Sequence, residues 1–153
     1  GFGYGDDDDV TVLDTMRGEY SRLYLRALVD PAALASLEEV QLAIRYDDAF
    51  IAFLGGVEVA RAGVATGHGA TAEGLSSHEA TRWELFPLGS GAQLAERLGP
   101  GPAVLALEGH NHTTASRDFT LHTCLVGPSR VRAVAMDGPV VLDEFRLTPR
   151  DER

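Results

Sequence analysis

The stretch at residues 49–61, AFIAFLGGVEVAR, decides the fold. Phe50 to Leu54 is an apolar run rich in aromatic and branched side chains, and Val57 and Val59 open a second such run after only two residues. Those two are Gly55 and Gly56, which reach positive φ without a Cβ penalty, so the chain reverses in a two-residue hairpin. A hairpin this tight joins only antiparallel strands. The sheet that contains it is therefore antiparallel at this point.

Outward from the hairpin, other short stretches alternate with period two between turn formers, the pattern of a sandwich or barrel. In RLYLRALV (22–29), Leu23, Leu25, Ala27 and Val29 share a face; in EVQLAIRY (39–46), Val40, Leu42 and Ile44 do the same. TRWELF (81–86) places Trp83 and Leu85 on one side. AVLALEGH (103–110) and DFTLHTCLV (118–126) follow, the latter with Phe119, Leu121, Thr123 and Leu125 in register and Cys124 on the other face as a small filler. Two weaker strand patterns lie at 131–135 and 140–147. Helical signal is confined to DPAALASL (30–37), with Asp30 as N-cap and proline at the first helical position, and to SGAQLAERLG (90–99), which stops at Gly99. Residues 62–80, rich in Gly, Ala, Ser, Thr and His, show no period and read as a long loop.

Composition narrows the function. The chain has 153 residues and a formal net charge of -10, which suits one domain and repels a phosphate backbone, so no nucleic-acid partner is expected. All 13 basic residues are arginine. That removes Schiff-base chemistry, a P-loop lysine and a lysine general base together. One cysteine makes no internal disulfide and no thiolate cluster. No apolar run approaches the roughly 20 residues that span a bilayer, so no membrane span is expected.

Enzyme motifs fail one by one. There is no G-x-S-x-G elbow, no Walker loop, no H-E-x-x-H and no dinucleotide fingerprint. His110 and His112, at a strand end, would share a transition metal only if a carboxylate such as Asp118 or Glu108 joined them; the plainer reading is a pair in a polar loop. Ser116 and Asp118 close to these histidines on one loop do not supply an oriented nucleophile and an oxyanion hole. An enzyme is not expected.

The acidic run GYGDDDDVTVLDTM (3–16) asks whether a cation binds. An EF-hand counted from Asp6 puts Thr11 where glycine is required and Arg17 where a bidentate glutamate is required, so it fails. What survives is an ordered turn whose aspartates bond their own backbone, or a looser Ca²⁺ site with Asp6, Asp8 and Asp9 as ligands.

Three segments, GFGYGDDDDVTVLDTMRGEYSRLYLR, RYDDAFIAFLGGVEVAR and AVLALEGHNHTTASRDFTLHTCLV, together resemble the galactose-binding-like jelly-roll module of large secreted bacterial proteins, found beside lamin-tail, spore-coat-kinase-like or metallophosphoesterase domains. Asp47 and Asp48 match the pair that opens the family's hairpin, Glu58 and Arg61 its return strand, and His110, Asn111, Ser116 and Asp118 its last motif. Gly55 stands where the family has asparagine, and Arg117 where it has serine. The resemblance implies an all-β antiparallel β-sandwich (a jelly roll) with one or two short helices, spanning residues 1–127 and lacking an N-terminal strand. Residues 128–153 then form a C-terminal extension, whose stretch 138–149 has the pattern of an added strand. The implied role is that of a non-catalytic, secreted or cell-surface module for binding or assembly, with a glycan as one ligand class; Ca²⁺ is the cofactor expected if the aspartate run binds one. Its partners would be other domains of the same larger protein or neighbouring subunits. Asp47, Asp48, His110, Asn111 and Asp118 are its ligand-binding candidates; the alternative is a metal-dependent hydrolase, or an accessory domain of one, using His110, His112 and an acid.

Overall fold

A computed structural model describes residues 1–5 and 9–128. Among these residues nine strands form two sheets, joined by two short helices: β1 (Phe2–Tyr4), β2 (Thr11–Val12), β3 (Arg22–Val29), α1 (Pro31–Ala35), β4 (Val40–Asp47), β5 (Ala49–Leu54), β6 (Val57–Ala62), β7 (Glu84–Gly89), α2 (Gly91–Leu98), β8 (Ala103–His110) and β9 (Phe119–Val126). One sheet has the order β2-β1-β9-β4-β7, the other β3-β8-β5-β6. Every pairing is antiparallel except that of β1 with β2. The two sheets pack face to face as an all-β sandwich.

Alternation decides which side chains fill the space between the sheets. Val40, Leu42, Ile44 and Tyr46 of β4 meet Phe119, Leu121 and Leu125 of β9, and Phe50, Ala52 and Leu54 of β5 face them from the second sheet beside Leu105 and Leu107 of β8. Gly55 and Gly56 take φ of +61° and +80°, as the hairpin turn requires. Opposite it, Val59 is an extra residue between Glu58, which faces Phe53, and Ala60, which faces Ala52. This bulge puts Glu58 and Arg61 on one side, where the guanidinium donates from Nε (2.5 Å) and Nη2 (2.6 Å) to the two carboxylate oxygens.

The helices fall where the capping signals put them. Asp30 accepts the Ala32 amide at 2.9 Å, and Leu34 and Leu94 are buried in the core. Both helices sit at one end of the sandwich, because α1 joins β3 to β4 and α2 joins β7 to β8. Trp83 and Leu85 do share a side, but it faces solvent; Phe86 and Leu88 supply the core face of this edge strand.

Two features depart from the sequence reading. The opening GFG, which carries no strand signal in the sequence, is strand β1, paired with both β9 and β2. A Cβ on Gly3 would lie 2.0 Å from the Phe119 carbonyl, so only glycine permits this approach. The aperiodic segment after β6 also packs closely: Val64, Ala72 and Leu75 cover Ala49, Ile51 and Phe53 on the outer face of β5 as a second, smaller core. The strand patterns at 131–135 and 140–147 and the whole extension from 129 onward lie outside the described residues.

Candidate functional site

The end of the sandwich away from the helices gathers the polar residues. Asp47 closes β4, His110 closes β8, and Asp118 immediately precedes β9. The segment between β6 and β7 returns to this end carrying His78 and Glu79.

Asp48 brackets two loops. Its buried carboxylate accepts the His78 amide on Oδ1 at 3.1 Å and the His112 amide on Oδ2 at 2.7 Å. The His78 ring stacks on Tyr46, with centroids 4.1 Å apart and planes inclined by 10°. Its Nδ1 lies 3.0 Å from the Tyr46 carbonyl and its Nε2 2.8 Å from Glu84 Oε1.

Beside this bracket stand three carboxylates. Asp47, Glu79 and Asp118 each offer an oxygen, and these oxygens lie within 4.8 Å of one another. Asp47 is buried, Asp118 is half-buried and Glu79 is exposed, so the group opens to solvent on the Glu79 side. Asn111, buried at the edge of the group, donates Nδ2 to the Asp118 carbonyl at 2.9 Å and to the Tyr4 hydroxyl at 3.2 Å. Burial raises the Tyr4 phenol above its ordinary value; Arg17 and the Asn111 bond oppose the rise, and Asp118 and Asp47 add to it.

The sequence candidates separate into groups. Asp47, Asp48, Asn111 and Asp118 come together at this end, joined by Tyr4 and by Glu79, the latter not singled out by the sequence reading. His110 is fully buried, with Nε2 3.4 Å from Glu108 Oε2, an approach off the axis of a good hydrogen bond; Nδ1 has no partner among the described residues. Burial pushes its pKa down, against the pull of Glu108. His112 is exposed and its amide bonds Asp48. Neither histidine belongs to the three-carboxylate group, the one set of three metal-capable side chains found among the described residues.

Asp9 also stays out of that set; a Cβ on Gly3 would lie 2.1 Å from its Oδ2, so the side chain lies against β1. Asp6 and Asp8 lie outside the described residues. Ser116 donates to Asp118 Oδ1 at 3.4 Å, a long contact that orients the carboxylate. Cys124 is buried on the outer face of β9, as its place in the alternation requires. Compared with known proteins, the chain matches no family model, no curated protein and no solved structure.

Proposed function

We propose that this chain is a non-catalytic β-sandwich module that serves binding or assembly within a larger secreted or surface protein. One observation carries the reading: β3 stands at the end of its sheet, so eight residues of edge, Arg22–Val29, meet no further strand among the described residues. An open edge presents unpaired amides and carbonyls that pair with any extended chain of suitable pattern. Between the sheets just behind this edge lies a small, mainly apolar recess lined by Leu25, Ala27, Leu105, Leu107 and Leu125 together with Arg26 and Thr123.

Tyr24 and Leu28 are exposed on the outer face of β3, where they alternate with Arg22 and Arg26. The edge has neither a bulge nor a proline to block pairing. The resemblance to secreted modules supports the same class of role. In solutions of the isolated chain the occupant is a second copy, pairing β3 against β3 about a two-fold axis.

Light scattering over a concentration series tests this reading. The expected result is a mass that rises from monomer toward dimer, with Arg26→Pro, which removes an amide that points to the open edge, holding it at monomer. A monomer at the highest concentration reached would overturn it.

A further inference from the structure

We propose that two copies of the chain pair through β3 in one register, with Leu25 of each copy meeting Leu25 of the other on the two-fold axis, and that Tyr24 and Arg26 select that register. The inference rests on the edge-pairing reading above and adds which residues meet and why.

The other three sheet ends are blunted among the described residues. β2 is two residues long, β6 carries the bulge at Val59, and β7 contains Pro87, which has no amide to give. These are the devices by which an edge is kept from pairing, and β3 has none of them.

Pairing with β8 decides which groups β3 shows to a partner. The Asn111 amide donates to the Ser21 carbonyl at 2.8 Å, so Ser21 turns its backbone groups toward β8. Alternation in an antiparallel ladder sends Leu23, Leu25 and Ala27 the same way, and turns the amides and carbonyls of Arg22, Tyr24, Arg26 and Leu28 to the open edge. The side chains of this second set stand on the outer face, whereas Leu23, Leu25 and Ala27 lie half-buried on the core face.

Antiparallel pairing of two such edges sets edge-facing residues opposite edge-facing residues. A two-fold axis at Tyr24 would put Arg22 against the partner's Arg26, and an axis at Arg26 would put that arginine against its own copy. Like charges directly opposite destabilise a sheet. An axis at Leu25 avoids both: Arg22 then faces Leu28, and Arg26 faces Tyr24, whose ring attracts the guanidinium. This register also pairs all four edge-facing residues, where the other two pair three and any larger shift pairs two. On the core face it sets Leu25 against Leu25 and Leu23 against Ala27, removing from water the side chains that the bare edge leaves half-exposed.

Oxidative cross-linking in a Cys124→Ala background, which removes the native thiol, tests the register. Tyr24→Cys and Arg26→Cys are changes at exposed positions, and in the proposed pairing their Cα atoms stand about 5.5 Å apart across the two copies, within disulfide reach. An equimolar mixture of the two variants is expected to form the mixed disulfide at least about 10-fold faster than either variant forms one with itself. Tyr24→Cys or Arg26→Cys linking to itself ahead of the mixture would overturn the register while leaving edge pairing in place. No cross-link in any combination would also overturn it, and light scattering then separates the causes: a mass that still rises with concentration places the dimer contact away from β3, and a constant monomer mass removes edge pairing as well.

Discussion

The Oδ2 of Asp48 accepts the amide of His112 at 2.7 Å, across 64 positions of sequence. The other oxygen takes the amide of His78, so one carboxylate closes both loops at this end of the sandwich. Asp48→Ala removes an ionised acceptor from two amides, each bond contributing about 1.5–3 kcal/mol. The loss is on the order of 3 kcal/mol, a fall in melting temperature of about 10 °C for a chain of this size. Asp48→Asn, which keeps one acceptor oxygen, falls between wild type and alanine. Calorimetric melting reads both; equal melting temperatures for wild type and Asp48→Ala would refute the bracket.

Gly109 is a second point of close approach. An added Cβ would sit 2.8 Å from Phe119 Cζ and 2.9 Å from Leu121 Cδ2, both in the packed core. Gly109→Ala therefore destabilises by about 1–3 kcal/mol through overpacking, measured by urea unfolding. A midpoint equal to that of wild type would place Phe119 elsewhere.

His110 makes the fold acid-sensitive. Its pKa is lowered chiefly by burial, so in mild acid the unfolded chain takes up a proton that the folded chain refuses. Stability from this group is fully present above about 6.5, the ordinary histidine value, and is lost as pH falls toward the depressed folded value. His110→Gln flattens that acid limb in a plot of unfolding free energy against pH. An identical slope in the variant would show that other groups set it.

Tyr4 and Tyr46 act on the alkaline side. Both phenols are raised, burial being the leading cause, with Glu84 adding to the rise at Tyr46. The folded chain holds these protons more tightly than the unfolded chain does. Their contribution is present below about 10 and is lost as pH rises through the raised values. Spectrophotometric titration should show two phenols ionising late in the folded protein and together with the rest in denaturant; a single ionisation step in the folded protein would count against this.

Much of the fold was legible because its signal is local. Period-two alternation marked β3, β4, β8 and β9, and the apolar run before Gly55 and Gly56 marked β5 and the hairpin. Strand β1 was not legible: its three residues contain a glycine, and what places them is the room that Gly3 leaves for the Phe119 carbonyl, a relation between distant positions. The site divides in the same way. Asp47 and Asp118 flank strands and were found, whereas Glu79 arrives from an aperiodic segment whose path is set by Val64 and Leu75 packing on the outer face of β5. No spacing in the sequence relates Glu79 to Asp47.

The measurement closest to the proposed role is hydrogen exchange of the amides in Arg22–Val29 as a function of protein concentration. Half of these amides bond to β8 and half point to the open edge. If the edge docks a strand from a second copy, the outward amides become protected as concentration rises, in step with the increase in mass. Outward amides that exchange freely at every concentration, while the β8-facing set stays protected, would contradict an assembly role for this edge.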